Sequence, residues 1–232
     1  MTVRITLRDV SVRFGERTVL DSVDVELNER RIGVVGANGS GKSTFARLLN
    51  GLVLPSEGSV VVGDHDTAKE ARKIRRQVGF VFQNPDNQIV LPIVEEDMAF
   101  GLKNTGVPRK EIPGRVRAQL ENLRIAELAE RPSHALSGGE KQLVALASVL
   151  VMRPGTVVFD EPTTLLDLRN RNVLRALIAA MPQQAIVVTH DLDLLSDFDR
   201  VLVIDEGRVV HDGVPSVAVP WYVERQSVER MP

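Results

Sequence analysis

The octet Gly36-Ala37-Asn38-Gly39-Ser40-Gly41-Lys42-Ser43 limits what this chain can fold into more than any other stretch of its 232 residues. It fits the pattern G-x-x-x-x-G-K-[ST], with the apolar run Ile32-Gly33-Val34-Val35 before it and a helix expected from Lys42 to near Asn50, stopped by Gly51. A strand, a glycine turn and a helix in that order make a phosphate cradle. The glycines let successive backbone N–H groups converge on phosphate oxygens with no Cβ in the way. The helix begins at the phosphates, so its free N–H groups and its dipole favour the anion. Lys42 would bring a positive charge to the β- and γ-phosphates, Ser43 a hydroxyl to Mg2+, and Thr44 a second polar group beside it.

Composition narrows the rest. A hydrophobic fraction of 43% and a charged fraction of 26% are those of an ordinary folded domain, and the length suffices for a substantial core. The net charge of −2 offers no bulk field for nucleic acid or an anionic membrane. With no cysteine there is no disulfide, thiolate metal site or cysteine nucleophile. The longest apolar stretch, Leu143–Met152, is about half the roughly 20 residues a spanning helix needs. The first ten residues alternate apolar and polar side chains where a signal peptide would need an apolar run. The expectation is a soluble chain that reaches the cytoplasmic face of a membrane only by docking on a partner.

Along the chain, Val3, Ile5 and Leu7 alternate with polar residues as a strand does, Phe14–Arg17 reads as a turn, and Thr18–Leu20 and Gly58–Gly63 read as further strands. From Pro85 to Met152 the pattern is mainly helical. Val116, Leu120 and Leu123 mark one helix, and Leu143, Leu146, Ala147 and Leu150 mark a single apolar stripe on another. Short buried strands then return at Thr156–Phe159, Ala185–Val188 and Val201–Ile204, with a helix at Leu168–Met181 between the first two. Alternating strands and helices imply a parallel sheet. Glu206-Gly207 turns into a terminal hairpin, and the tail from Val214 has no clear reading.

Three strand ends carry chemistry. Thr156–Phe159 runs into Asp160 and Glu161. An Asp at that place can hold Mg2+ through its water shell, and an acid one step further on can polarise an attacking water. His190 ends another apolar strand, where it could contact a γ-phosphate or have no role at all; Gln83, after Gly79–Phe82, could reach Mg2+ or water, and alone it is a weak signal. Leu136-Ser137-Gly138-Gly139-Glu140 opens a helix with a serine and two glycines, which is a second anion site by the physics of the first, or simply a helix cap.

Together these residues resemble the ABC ATPases, whose LSGGQ signature the Leu136–Glu140 turn matches with Glu in the last place. The landmarks Phe14, Gly36–Thr44, Gln83, Leu136–Glu140, Asp160-Glu161, Asp167 and His190 occur in the family's order over essentially the whole chain. The resemblance implies an α/β fold: a RecA-like P-loop NTPase core with an N-terminal antiparallel β-subdomain (residues 1–83 and 153–232) and an inserted α-helical subdomain (residues 84–152). It further implies that ATP and Mg2+ are bound. Phe14 then stacks on adenine, Gly36, Asn38, Gly39, Ser40, Gly41, Lys42, Ser43 and Thr44 hold the phosphates, and Ser43, Gln83 and Asp160 serve the metal. Glu161 is the catalytic carboxylate, His190 the switch histidine, and Gln83 the link to a membrane partner. Ser137, Gly138, Gly139 and Glu140 close on nucleotide held by a second ATPase subunit, with Asp167, in Thr164-Leu165-Leu166-Asp167, along the interface between the two. Phe replaces the commoner Tyr at position 14, and Leu143 stands where Arg is common.

Val81–Ile89, VFQNPDNQI, is similar to the segment of energy-coupling-factor ATPases that drive vitamin and metal-ion uptake. In that class a transmembrane T component and a substrate-binding S component complete the importer. Ile89–Phe100 would offer the T component an apolar groove with an acidic rim, or it packs in the core. The run Arg30–Asn38 and the short length look like the biotin-transporter ATPases, with the cobalt and nickel ATPases the near alternative. Longer members carry a C-terminal dimerisation region for which the chain leaves little room. A soluble ABC protein or a nucleotide-dependent scaffold is a rival, but neither two cassettes, a long coiled coil nor zinc cysteines are present, and Asp160, Glu161 and His190 are intact.

Overall fold

The computed structural model describes residues 3–164 and 166–228. In chain order the elements are β1 (Ile5–Phe14), β2 (Arg17–Leu27), β3 (Arg31–Val35), α1 (Lys42–Leu48), β4 (Glu57–Val62), β5 (His65–Asp66), α2 (Thr67–Gln77) and β6 (Val78–Val81). Then come α3 (Val94–Asn104), α4 (Ile112–Asn122), α5 (Gly138–Leu150), β7 (Thr156–Asp160), α6 (Leu168–Ala180), β8 (Gln184–Val188), β9 (Arg200–Asp205), β10 (Arg208–Gly213) and α7 (Pro215–Val228).

The strands form two sheets. One is antiparallel, in the order β2-β1-β4-β5. The other runs β10-β9-β3-β8-β7-β6 and is parallel except for the edge strand β10. Every residue of β3, β6, β7 and β8 is buried. These strands are covered on both faces, which is why they read as continuous apolar runs and not as alternation. On one face lie the antiparallel sheet and α1, with Phe45, Leu48, Ile5, Leu7 and Leu20 packed on Val34, Val158 and Ile186. On the other lie α5 and α6, whose Leu146, Val149, Leu174 and Ile178 meet Val157, Phe159 and Val187. The helices between β6 and β7 have a core of their own, with Met98 and Leu102 from α3, Val116 and Leu120 from α4, and Val144 and Ala147 from α5.

Parallel pairing sets the functional edge. Because β6, β7, β8 and β3 run the same way in register, the chain leaves each of them at the same edge of the sheet, where ligands of open parallel sheets bind. The P-loop follows β3, Gln83 follows β6, Asp160 and Glu161 end β7, and His190 follows β8.

Three elements depart from the sequence reading. The α5 helix does not bury one stripe: Leu146 and Val149 face the sheet while Val144, Ala147 and Val151 face the helical core, and Leu143 and Leu150 are only partly buried. A helix pressed between two cores loses the single-sided period that an amphipathic surface helix shows. The opening third, read as strands around one helix, also holds α2. Asp66 caps that helix by accepting from the Ala68 N–H at 2.8 Å, and only Thr67 and Ile74 are buried, so almost no apolar residues mark it. Finally, the tail is α7, held by buried Ala218, by Trp221 stacked on His211 with centroids 4.8 Å apart, and by Arg225 donating to Asp205 Oδ2 at 2.7 Å.

Candidate functional site

Glycine is required in the loop after β3 for steric reasons. A Cβ on Gly36 would lie 2.0 Å from the Ile204 carbonyl oxygen, and Gly41 has φ 106° with the Val19 carbonyl oxygen 2.7 Å from where its Cβ would be. The loop thus lies hard against β9 and β2, and within it the Ser40 N–H donates to the Ala37 carbonyl oxygen at 3.2 Å. Lys42, 7% exposed, turns back over the loop and its Nζ donates to the Gly36 and Ala37 carbonyl oxygens at 2.8 Å each. Burial lowers the lysine's pKa from its ordinary value, and the carboxylates of Glu161 and Asp160 oppose that shift.

The acids at the end of β7 face different ways. Asp160, 2% exposed, accepts from the Ser43 hydroxyl at 2.8 Å through Oδ1, and Arg47 is 3.7 Å from its Oδ2. Glu161 adopts φ 51°, a left-handed backbone that costs a non-glycine residue about 1–3 kcal/mol and turns its side chain out of the strand's alternation. Its Oε2 accepts from the His190 backbone N–H at 3.2 Å and sits 2.6 Å from His190 Nδ1. A carboxylate in its ionised form can only accept, so in that form the contact requires the imidazole tautomer with hydrogen on Nδ1.

A cleft of about 650 Å³ joins these groups, lined by Asn38, Gly39, Gly41, Lys42, Ser43, Thr44, Gln83, Glu161 and His190, and also by Arg17, Val19 and Thr164. Asp160 lies beneath it through Ser43, and Ser40 is buried with no hydrogen-bond partner for its hydroxyl among the described residues. Phe14 is 55% exposed at the end of β1 and does not line the cleft; its cross-strand neighbour Arg17 does.

The Ser137 turn lies elsewhere. Ser137 caps α5 by accepting from the Glu140 N–H, and Glu140 Oε2 accepts from the Ser137 N–H at 2.7 Å, a reciprocal capping box. These bonds from Ser137, with Arg131 nearby, hold the Glu140 carboxyl below the usual carboxylate range. Gly139 is buried so close to α6 that a Cβ would come within 2.4 Å of Asn170 Nδ2, which brings the turn beside Asp167, the cap of α6. Ser137, Gly138 and Asp167 are exposed, Leu168 is 70% exposed, and none of them lines the cleft. Leu165, in the expected interface segment, lies outside the described residues.

Sequence reasoning missed Arg17, Val19 and Arg47 at this site. They come from segments with no motif of their own, and only the docking of the antiparallel sheet and α1 on the cleft reveals them.

A glycine-built loop with a buried lysine, a serine hydroxyl bonded to a strand-end Asp, and a Glu–His pair beside them define a P-loop nucleoside triphosphatase. A family profile described as ABC transporter matches residues 20–164, so the chain belongs to the ABC transporter ATP-binding family and is an ATPase. The biotin transport ATP-binding protein BioM of Rhizobium etli is 48% identical over 96% of this chain and 99% of its own. Among solved structures, cbiO1 from Clostridium perfringens, part of the ABC transporter complex cbiONQ, matches with TM-score 0.81 and 32% identity over 98% of this chain and 95% of its own. The dimeric ATP-binding cassette MJ0796 bound to ADP and Pi matches with TM-score 0.80 and 28% identity over 91% of this chain and 98% of its own. The fold is thus the ABC ATPase fold, and the chain is the ATP-binding subunit of an ABC-type transporter. Among the described residues no helix is long and apolar enough to cross a membrane.

Proposed function

We propose that this chain is the motor of an energy-coupling-factor importer, working as a homodimer in which each ATP is shared between two chains. The observation that carries this reading is the separation of two anion-binding turns: the P-loop lines the cleft, whereas Ser137 and Gly138 are exposed and outside it. A second copy offering its Ser137 turn would complete each site, and the dimeric state of the MJ0796 cassette supports that arrangement.

In this mechanism Lys42 and the loop N–H groups hold the β- and γ-phosphates, and Phe14 meets the adenine at the mouth. Mg2+ suits the site because a serine hydroxyl and a carboxylate oxygen, both hard donors, already converge at 2.8 Å. Ser43 and Asp160 would hold it, with Gln83 in reach, and it would neutralise phosphate charge. Glu161 takes the proton of a water whose oxygen attacks the γ-phosphorus; the bond to the β-phosphate oxygen breaks and ADP leaves. His190, kept in place by Glu161, contacts the transferred phosphoryl group.

For the membrane partner we propose a groove of about 790 Å³ between α3 and α4. Leu91, Phe100 and Val116 are among its apolar walls, and Glu95, Glu96, Glu121, Glu127 and Glu130 outnumber Lys103 and Arg117 around it. Of the residues expected to form it, Val94 is fully buried in the helical core, whereas Leu91 and Phe100 line it. A T-component helix with an apolar face and basic residues fits this chemistry. Phe100→Arg should weaken co-purification with the transmembrane partner by at least about 30-fold, the effect of losing an interface anchor, and leave nucleotide binding unchanged. Equal recovery of the complex would refute the docking site.

Biotin is the proposed solute, supported by the likeness to the Rhizobium etli protein. Cobalt is the second reading, supported by the likeness to the cobalt import ATP-binding protein CbiO of Syntrophus aciditrophicus, 44% identical over 93% of this chain and 80% of its own. The whole proposal is tested by isolating the chain from membranes, identifying what travels with it, and measuring uptake of labelled biotin and of cobalt in vesicles holding that assembly. Isolation without any polytopic membrane protein would overturn the importer reading.

A further inference from the structure

His190 is held from one side only by what the cleft provides. Its ring is 61% exposed, so packing does not fix its rotamer, and its bonds to Glu161 are the ones that orient it within the site. The backbone just beyond it has another anchor. Asp191 donates its N–H to Thr189 Oγ1 at 3.0 Å, and its side chain, 11% exposed, has Oδ2 3.5 Å from Arg171 Nε. Arg171 stands in the first turn of α6, its own N–H donating to the Asp167 carbonyl oxygen at 2.9 Å. A small polar pocket of about 310 Å³ lies between, lined by Arg171, Asp191, His190 and Thr164, and the last two also line the nucleotide cleft.

From this geometry we infer that Arg171 is a positioning residue for hydrolysis: by pairing with Asp191 it fixes the loop that carries His190 and ties it to the Asp167 end of α6. The inference rests on the reading of His190 as the group that contacts the γ-phosphoryl. The ion pair joins two elements that share no strand pairing and adds a side-chain tie to the backbone bonds of the loop, in which the Thr189 N–H donates to the Val34 carbonyl oxygen at 3.1 Å and the Leu194 N–H to the Asp191 carbonyl oxygen at 3.2 Å; without it the 190–191 turn is held less firmly. His190 would then leave Glu161 for part of the time, and each departure removes a competent site. The pair also gives the exposed Asp167 end, where the second chain is proposed to sit, a mechanical route to the histidine.

Steady-state hydrolysis by the purified chain tests it. Arg171→Ala should lower kcat roughly tenfold with KM for ATP within about twofold, because the arginine acts on orientation and not on nucleotide affinity. Arg171→Lys should recover most of the rate, since one charge near Oδ2 and no bidentate fork is needed. In the His190→Ala background, adding Arg171→Ala should cost nothing more, because residues acting through one group are not additive. An unchanged kcat in Arg171→Ala, or a full extra loss in the double variant, overturns the inference. Should Arg171→Ala melt at a markedly lower temperature, Asp191→Asn, which keeps the side-chain volume, is used in its place with the same two outcomes. Failure of the hydrolytic reading is told apart by Glu161→Gln: brisk turnover there sinks the catalytic assignment, whereas additivity at Arg171 sinks only the positioning role.

Discussion

Replacing Glu161 by glutamine is expected to slow ATP turnover by a factor on the order of 10²–10⁴, the usual contribution of a positioned general base, while ATP is still bound. The residue is 9% exposed and stands at a strained φ of 51°, and its side chain accepts from both the backbone and ring nitrogens of His190. Glutamine has the same shape, and its amide oxygen can still accept those bonds, so the cleft should survive. What it lacks is a basic oxygen to take the proton from water. Trapped ATP should then hold two chains together, and the variant should elute as a dimer with ATP and as a monomer without it. Phosphate release and size-exclusion chromatography measure both outcomes. Turnover near the parent rate would remove Glu161 from the mechanism.

The second large effect is expected from Lys42→Ala. The ammonium group is buried against the Gly36 and Ala37 carbonyl oxygens and lies within the field of Glu161 and Asp160. Charged hydrogen bonds contribute about 1.5–3 kcal/mol, so losing this one from the phosphates should weaken ATP binding on the order of 10- to 100-fold. Hydrolysis should fall further, because charge on the γ-phosphoryl grows in the transition state. Titration with a fluorescent ATP analogue checks the first expectation and a phosphate assay the second. The pairing of Ser43 with Asp160 is independent of the lysine, so the fold should hold. ATP affinity equal to that of the parent would contradict the cradle.

The contrast between what sequence revealed and what it hid is physical. Gly36–Ser43 and Asp160-Glu161 are legible because phosphate chemistry demands those residue types at strand ends, and the buried strands leading to them are continuous apolar runs; His190 ends a strand of the same kind but takes a role only from the family resemblance. The Ser137 turn has two readings in the sequence, an anion site or a helix cap; the structure has the reciprocal cap, and the anion site belongs to the proposal of a shared nucleotide. Hidden were features decided by packing. The α2 helix has too few apolar residues to show a period, and α5 has too many because it serves two cores. Phe14 is exposed at the end of β1, and it is Arg17, across the hairpin, that lines the cleft itself. The Arg171–Asp191 pair joins residues from two helix and loop ends distant in sequence, and no local pattern foretells such a meeting.

The claim that every nucleotide is shared between two chains can be tested with two cysteines, because the natural chain has none. Asn38→Cys would place a thiol in the cleft and Gly138→Cys one on the exposed turn, in a chain that also carries Glu161→Gln. A disulfide forms only if their Cα atoms come within about 7 Å. Under mild oxidation the account predicts a covalent dimer on a non-reducing gel when Mg·ATP is present, and monomer when it is absent. Monomer under both conditions would contradict it, since the Ser137 turn would then never close on another chain's phosphates.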